Sequence, residues 1–345
     1  MARIDVRQAK SAIPTSRRTD PPRFELTRIR SIEDERESMA REVREGLAAE
    51  PPSLPSKFFY DAHGSVLFER ITKLPEYYPT RTEEEIHARV AQEIVERERP
   101  REWIELGSGM GIKTRRMLDA IAAADERPMS CILLDVDEEA LRTSLAALTA
   151  AYPRLVGRGV VGDFLRDLPE IGLSAGDRMM GFLGGTLGNL DPERVPGFFA
   201  AAAAVLAPGD TFLLGVDLVK DKGRLEAAYN DRAGITAAFN LNILQVINHR
   251  LGADFEVPAF QHVAFYDSAQ HWIEMRLRAI RRTAVHIPAA GFERVFDAGD
   301  EIRTEISCKY TRPRLEHLLA GTGLLLDVWH TDADAQFAVA LLRRG

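Results

Sequence analysis

Residues 103–118 read WIELGSGMGIKTRRML, an apolar run that stops at three alternating glycines and continues as a basic, amphipathic pattern. The apolar run predicts a buried β-strand, the glycines predict a tight turn, and the following pattern predicts a helix. In a doubly wound α/β sheet such a turn lies beyond the carboxyl end of a strand, where backbone N–H groups approach a ligand closely. The stretch therefore predicts a ligand-binding turn.

The middle of the chain alternates short apolar runs with helical patterns. The predicted strands are 102–106, 131–136, 157–161, 179–183 and 211–216. The predicted helices are 114–123, 138–152 and 192–206. Strands that alternate with helices of this length indicate βαβ units and a parallel sheet covered on both faces. Residues 82–218 are therefore predicted to form a doubly wound, Rossmann-like α/β domain.

A different pattern follows residue 218. Two helices are predicted at 222–239 and 241–251, and then an antiparallel strand pair at 259–266 and 272–280 around the turn DSAQ. This second architecture indicates a separate α+β domain. The end of the chain returns to the earlier style, with a helix at 313–320 and a hairpin of 324–332 with 336–344. That hairpin is expected to complete the first sheet.

Composition excludes several classes of protein. The chain has 345 residues, a formal net charge of −7 and a pI of about 5.7, which disfavours a broad nucleic-acid surface. Its two cysteines and eight histidines show no metal-ligand spacing. Residues 1–29 read as a flexible tail without a secretion signal, and the longest apolar run falls short of the ~18 residues of a membrane span. We expect a cytoplasmic, monomeric protein that acts on a small molecule, without nucleic acid, membrane or metal.

The glycine turn does not fit a phosphate cradle. A phosphate-binding Walker loop needs glycine immediately before Lys113, and a dinucleotide fingerprint needs glycine at 112, but Ile112 stands there. Asp135 also lies 28 residues beyond Gly107, whereas a dehydrogenase places its acidic residue about 20 residues on. The remaining pattern is Glu105-x-Gly107-x-Gly109-x-Gly111. It resembles the first motif of class I S-adenosylmethionine-dependent methyltransferases.

Two further strand ends support a nucleoside cleft. Asp135 ends the next predicted strand, where its carboxylate can accept both ribose hydroxyls, and Asp163 and Phe164 follow the third strand in the triplet GDF. Asp163 can accept a hydrogen bond from the adenine amino group. Phe164 can pack on the adenine ring or form a hydrogen bond to it through its backbone. Three such positions at successive strand ends predict S-adenosylmethionine as the cofactor.

Several longer segments resemble the histidine Nα-methyltransferases of the ergothioneine pathway, which trimethylate the α-amine of free L-histidine to hercynine. The segments are LPSKFFYDAHGSVLFERITKLPEYYPTRTE (54–83), ELGSGMGIKTR (105–115), FLGGTLGNLDP (182–192), LLGVDLVKDKGRLEAAYNDRAGITAAFNLNIL (213–244) and TEISCKY (304–310). The resemblance covers the chain from about residue 30 to its end. It implies a discontinuous substrate domain of residues 30–81 and 219–309, with 310–345 returning to the methyltransferase domain.

The resemblance also implies site residues. It places Gly107, Lys113, Asp135, Asp163 and Phe164 around the cofactor. It places the following residues around the substrate: Tyr60, Tyr77, Asn189, Tyr229, Met275, Glu305 and Ser307.

These residue types suit free histidine, because each of its polar groups needs a partner once water is excluded. Asn189 and Tyr229 can donate to the carboxylate, and Tyr60 or Tyr77 can hold the amine. The resemblance implies that Tyr60, Tyr77 and Asn189 are the catalytic residues. Glu305 and Ser307 can bind the two imidazole nitrogens. A related enzyme for another amino acid such as tryptophan, and a non-catalytic nucleotide-binding module, remain alternatives. A carboxylate at 305 favours imidazole over indole.

Overall fold

A computed structural model describes residues 23–109 and 111–345. Its strands are β1 (Phe24–Arg28), β2 (Glu102–Leu106), β3 (Met129–Asp135), β4 (Leu155–Val161), β5 (Arg178–Phe182), β6 (Thr211–Asp217), β7 (Phe260–Asp267), β8 (Trp272–Ala279), β9 (Thr283–Ile287), β10 (Phe292–Phe296), β11 (Glu301–Cys308), β12 (Leu324–Thr331) and β13 (Phe337–Arg344). Its helices are α1 (Ile32–Ala48), α2 (Ala62–Thr72), α3 (Pro79–Glu98), α4 (Ile112–Ala124), α5 (Glu138–Ala151), α6 (Phe164–Asp167), α7 (Val195–Ala204), α8 (Lys222–Tyr229), α9 (Ile235–Leu251) and α10 (Arg312–Leu319).

The central sheet has eight strands in the order β1-β4-β3-β2-β5-β6-β13-β12. Strands β1 to β6 run parallel, and β13 is antiparallel to both β6 and β12. The chain proceeds outward from β2 in one direction through β3 and β4, and in the other through β5 and β6. Ligands bind in such a sheet beyond the carboxyl strand ends at this reversal. The glycine turn after β2 lies at that position.

A second unit packs around the sheet of order β11-β8-β7 and helices α1, α2, α8 and α9. Its hydrophobic core combines buried residues from the stretch 39–78 with buried residues from the stretch 225–302. Two other clusters fill the two faces of the central sheet. Segments distant in the sequence therefore share one core.

The main secondary-structure predictions are confirmed. The five predicted parallel strands appear as β2 to β6, each within two residues of its predicted bounds. The predicted antiparallel pair is β7 with β8, and the predicted C-terminal hairpin is β12 with β13. That hairpin completes the central sheet through β13 and β6. The doubly wound α/β fold is therefore confirmed.

Three local predictions are wrong. Residues 24–28, assigned to a flexible tail, form β1, which pairs in parallel with β4, whereas residues 1–22 lie outside the described part of the chain. The predicted break near residue 240 lies instead at 230–234, where Asp231 accepts the first N–H groups of α9 and Gly234 has φ 72°. Residues 192–194 form a separate 3₁₀ turn before α7. Side-chain capping by Asp231 decides the start of α9, where periodicity alone was ambiguous.

None of the helices within residues 23–109 and 111–345 combines the length and the apolar character needed to cross a membrane.

Candidate active site

A cavity of about 830 Å³ opens between the carboxyl ends of the central strands and the β11-β8-β7 sheet. Every residue that the sequence analysis assigned to cofactor or substrate lines it. These residues are Tyr60, Tyr77, Gly107, Lys113, Asp135, Asp163, Phe164, Asn189, Tyr229, Met275, Glu305 and Ser307. The fold therefore brings the whole predicted set together, while the role of each residue remains a prediction.

The glycine turn presents bare backbone to the cavity. Gly107, Gly109 and Gly111 have φ of 66°, 48° and 68°, in the left-handed region that glycine enters without a Cβ clash. The Gly107 N–H donates to the Leu134 carbonyl at 2.8 Å, which ties the turn to β3. A Cβ built on Gly109 would meet no atom within 4 Å. Open space in front of the turn is therefore available to a ligand.

A methyl group at position 109 is expected to weaken cofactor binding. In Gly109→Ala the Cβ enters open space beside the turn, and we expect at least about a tenfold loss of S-adenosylmethionine affinity in calorimetry, the equivalent of one hydrogen bond. The positive φ alone costs about 1–2 kcal/mol of stability. Gly252→Ala is the matched control, because Gly252 has φ 67° and open surroundings outside the cavity. Equal affinity losses in both variants would contradict a ligand at the turn.

Asp135 stands at the end of β3 beside this turn. Its Oδ2 accepts the Gly109 N–H at 2.8 Å, and its Oδ1 accepts the Asp137 N–H at 3.0 Å. Burial raises the pKa of Asp135, although these backbone donors oppose the shift. Each carboxylate oxygen has a second lone pair, so the group can accept two further hydrogen bonds. This is the requirement of a ribose diol.

Lys113 and Glu105 form the polar wall near the first turn of α4. The Lys113 Nζ lies 2.6 Å from the Glu83 Oε2, and the Glu83 Oε1 accepts the Gly184 N–H at 2.7 Å. Lys113 is therefore fixed to α3 and to the loop after β5. Glu105 accepts a hydrogen bond from the Thr114 hydroxyl, and burial raises the pKa of Glu105 to about 7.

Asp163 and Phe164 close the other end of the cofactor half. The Asp163 Oδ2 accepts from the Lys57 Nζ at 2.8 Å, and the Asp163 Oδ1 accepts the Leu165 N–H at 3.0 Å. Burial would raise the pKa of Asp163, but Lys57 outweighs it and holds that pKa below its usual range. The Phe164 ring meets Phe182 edge-on at 5.1 Å between centroids. A charged acceptor therefore adjoins an apolar wall, as a purine requires.

The cofactor half fits S-adenosylmethionine on its own geometry. The turn leaves room for close backbone approach, and the carboxylates of Asp135 and Asp163 stand at successive strand ends. The Ser108 hydroxyl is buried at the cavity wall and has no hydrogen-bond partner among the described residues. Such a group is costly unless a ligand satisfies it. An amino-acid moiety bound at the turn would provide that partner.

Strand β11 carries the other half of the site. Glu305 and Ser307 project from the same face, and Glu305 pairs across the ladder with Met275 on β8. The Asn189 Nδ2 donates one of its two hydrogens to the Ile306 carbonyl at 2.9 Å. Burial raises the pKa of Glu305 to about 7. A carboxyl group thus faces the cavity without an ion-pair partner at bonding distance among the described residues.

A hydroxyl cluster lies beside Glu305. The Tyr229 hydroxyl and the Ser307 Oγ are 2.7 Å apart, and the buried Lys309 ammonium donates to both, at 3.1 and 2.8 Å. The Lys309 Nζ also lies 3.0 Å from the Asp217 Oδ2, which accepts the Tyr78 hydroxyl at 2.7 Å. Burial would raise the pKa of Asp217, but the neighbouring lysines hold it below its usual range.

Aromatic rings form the remaining wall. Tyr60 meets Phe68 and Phe239 edge-on, each at 5.7 Å, and Tyr77 meets Tyr229 edge-on at 6.2 Å. Burial raises the pKa of both Tyr60 and Tyr77, so their hydroxyls remain protonated at neutral pH. These tyrosines can hold an amine by hydrogen bonds and can face a cation with their rings, but they are not tyrosinate bases.

Four charged residues that organise the cavity were not predicted from the sequence: Lys57, Glu83, Asp217 and Lys309. Lys309 had a usable signal, because Glu305, Ser307 and Lys309 stand at alternate positions in TEISCKY, the last of them one residue beyond β11. Lys57 and Glu83 had no local signal. Their partners lie 106 positions away at Asp163 and 101 positions away at Gly184.

The fold and the cavity together define a class of protein. Six parallel strands are followed by the antiparallel β13, which lies between β6 and the edge strand β12, and a glycine turn and acidic strand ends surround one cleft. This is the architecture of class I S-adenosylmethionine-dependent methyltransferases.

Comparison with known proteins narrows this class. A family model described as histidine-specific methyltransferase, SAM-dependent, matches residues 39–344. The histidine N-alpha-methyltransferase of Mycolicibacterium smegmatis is 47% identical over 308 residues, covering 89% of this chain and 95% of its own length. The protein of the same name from Mycobacterium tuberculosis is 45% identical, with coverages of 88% and 94%. Ergothioneine biosynthesis protein 1 of Neurospora crassa is 30% identical, covering 79% of this chain and 31% of its own.

The chain belongs to the histidine-specific, S-adenosylmethionine-dependent methyltransferase family. The predicted resemblance, the enzyme class and the cofactor are therefore confirmed.

Proposed function

We propose that this protein methylates the α-amino group of free L-histidine three times, with S-adenosylmethionine as the donor, and so makes hercynine for ergothioneine synthesis. The observation that carries the proposal is the Glu305 carboxyl group, enclosed in the same cavity as the glycine turn and backed by Ser307. The names of the mycobacterial and fungal relatives agree with this substrate.

The proposed substrate contacts follow from hydrogen-bonding capacity. Glu305 accepts an imidazole N–H, and the free amide hydrogen of Asn189 donates to the substrate carboxylate. The one hydroxyl hydrogen that Tyr229 and Ser307 leave free between them donates to that carboxylate or to the other ring nitrogen. Met275 provides an apolar wall beside the ring. A phenylalanine ring in the same place leaves the Glu305 carboxylate unpaired, which is the kind of loss that gives strong discrimination.

The reaction needs alignment more than acid–base chemistry. S-adenosylmethionine held by the glycine turn, Asp135 and Asp163 would supply an electrophilic methyl carbon and a neutral thioether as the leaving group. Tyr60 and Tyr77 hold the amine nitrogen in line, and alignment of this kind can recover ~7–11 kcal/mol of a barrier. An α-amino group has a pKa of ~8, so a neutral fraction exists at physiological pH without a strong base. One proton leaves the nitrogen before each transfer.

The aromatic wall suits the final product. A trimethylated amine is a permanent cation without N–H donors, so it gains nothing from additional carboxylates by hydrogen bonding. Aromatic faces attract such a cation by ~0.5–2 kcal/mol each. The rings of Tyr60 and Tyr77 therefore serve both the first amine and the last product.

We also propose the two-domain division predicted from the sequence, a substrate domain of residues 30–81 and 219–309 and a methyltransferase domain of 82–218 and 310–345. The hydrophobic core shared by residues 39–78 and 225–302 supports it.

We further propose a monomeric, cytoplasmic enzyme without nucleic-acid or membrane partners, since free histidine and its methyl donor are cytoplasmic metabolites. Light scattering of the purified protein tests the monomer.

The substrate is tested by incubating the purified protein with isotopically labelled S-adenosylmethionine and a panel of free amino acids, followed by mass analysis of the products. We expect histidine to gain one, two and three methyl groups, with no gain on phenylalanine or tryptophan. Methylation of tryptophan in place of histidine would move the assignment to a related enzyme. Cofactor binding without any turnover would overturn the proposed catalysis.

A further inference from the structure

Lys309 is a buried cation at the edge of the proposed substrate site. It follows directly after β11, and its side chain is 0% exposed. Its backbone N–H donates to the His271 carbonyl at 2.7 Å, which fixes the position of the residue. A buried ammonium group is costly unless all its hydrogens are paired. The neighbours of Lys309 therefore determine what it can do.

The ammonium group donates hydrogen bonds to the Ser307 hydroxyl at 2.8 Å and to the Tyr229 hydroxyl at 3.1 Å. It also forms an ion pair with the Asp217 carboxylate, 3.0 Å away. An ammonium group has no lone pair, so it cannot accept a hydrogen bond. Both hydroxyl oxygens must therefore accept from Lys309, and neither hydroxyl hydrogen can turn towards it.

The two hydroxyl oxygens lie 2.7 Å apart, so one hydroxyl donates its hydrogen to the other. Tyr229 and Ser307 carry one hydroxyl hydrogen each. One hydrogen is used between them, and one remains. Both residues line the cavity, which is the open side of the pair. The remaining hydrogen is therefore available to a ligand.

We propose that Lys309 is a positioning residue for the substrate, which orients the Tyr229–Ser307 hydroxyl pair so that it presents one hydrogen-bond donor to an acceptor atom of the bound amino acid. The identity of that ligand rests on the proposed function. Free histidine offers two suitable acceptors, its α-carboxylate and its unprotonated ring nitrogen. Lys309 also holds together α8 and β11, the two elements that carry the pair.

A purely structural role for Lys309 predicts something different. In that case Lys309 only neutralises Asp217, and any other cation on this carboxylate is equivalent. Lys220 provides the comparison, because its Nζ binds the Asp217 Oδ1 and the Tyr78 hydroxyl but does not contact Tyr229 or Ser307. Lys309→Met and Lys220→Met therefore remove the same charge from the same carboxylate, and only the first releases the hydroxyl pair.

The test measures histidine binding to the enzyme by calorimetry and histidine turnover by steady-state kinetics. Lys309→Met is expected to weaken histidine binding about 10- to 100-fold, the effect of one hydrogen bond to a charged group, with the KM rising more than kcat falls. S-adenosylmethionine affinity should stay within about twofold. Lys220→Met should change histidine affinity by less than about threefold. Equal losses in the two lysine variants would overturn the proposal.

A double-mutant cycle tests the hydroxyl pair directly. Ser307→Ala already removes the hydroxyl pair that Lys309 orients. In this background Lys309→Met should therefore lower histidine affinity much less than it does in the wild type. Additive losses would overturn the positioning role. If Lys309→Met does not fold, Lys309→Met with Asp217→Asn removes both charges, and comparison with Asp217→Asn alone gives the same measurement.

Failure of the proposed function gives a different result. If the wild type binds S-adenosylmethionine but not histidine, the substrate assignment fails, and the role of Lys309 fails with it. If the wild type binds histidine and Lys309→Met binds it equally well, only the positioning role fails.

Discussion

Replacement of Asp135 by alanine is expected to lower S-adenosylmethionine affinity about 100- to 1000-fold. Its carboxylate is the proposed acceptor for both ribose hydroxyls, and each hydrogen bond to a charged group contributes about 1.5–3 kcal/mol. Asp135→Asn should lose less, because its amide oxygen can still accept the Gly109 N–H that shapes the turn. Calorimetric titration with the cofactor measures both losses.

Asp137→Ala is the control for Asp135. Asp137 lies two residues further on, where its side chain caps α5 by accepting the N–H groups of Glu139 and Ala140. Loss of this cap should cost about 1 kcal/mol of stability. Cofactor affinity should change by less than about threefold. A folded Asp135→Ala protein that binds the cofactor as tightly as Asp137→Ala does would exclude the ribose assignment.

The parts of the fold that follow a local rule were predictable. Strands β2 to β6 are mostly buried, and each contains a short, mainly apolar run between turns. Among them only β4 has an exposed residue, Val156. β1 was not predictable, because its exposed and half-buried residues alternate weakly at a sheet edge and only pairing with β4 orders it. The break between α8 and α9 was misplaced because one helix was predicted across residues 230–234, NDRAG, where the Asp231 cap and the positive φ of Gly234 set the start of α9.

The candidate site shows the same division. Positions at strand ends and in the glycine turn were visible, because parallel strands bring their carboxyl ends to one edge. The ion pairs behind them were invisible. Asp217 and Lys309 are 92 positions apart, and the sequence carries no local pattern that joins them. The sequence therefore indicates which groups face the ligand better than it indicates which groups hold them.

Replacement of Glu305 by alanine is expected to raise the KM for histidine about 100-fold, while S-adenosylmethionine affinity stays within about twofold. The imidazole N–H then loses its charged acceptor, a contribution of about 1.5–3 kcal/mol. The preference for histidine over phenylalanine should fall at the same time, since a phenyl ring no longer leaves a buried carboxylate unpaired. Competition binding with both amino acids measures this ratio.

Glu301→Gln is the control on the same strand. Glu301 pairs with Arg276 and Arg278 outside the cavity lining, so its loss should affect stability without affecting histidine affinity. Parallel losses of histidine and cofactor affinity in Glu305→Ala would show general damage to the cavity and would contradict the assigned role of Glu305.

Stability provides a second measurement on Glu305. Burial raises its pKa from 4.5 to about 7, so the folded protein holds this proton more tightly than the unfolded chain does. The free energy of unfolding therefore falls as pH rises from about 4.5 to about 7, and the loss is complete above that range.

Glu305→Gln carries no charge to bury. At pH 8 its free energy of unfolding should exceed that of the wild type by up to about 3 kcal/mol, which thermal unfolding shows as a higher melting temperature. This difference should disappear near pH 4.5. If Glu305→Gln is more stable than the wild type by the same amount at both pH values, then burial does not oppose ionisation of Glu305. The proposed reason for its selectivity towards histidine would then be wrong.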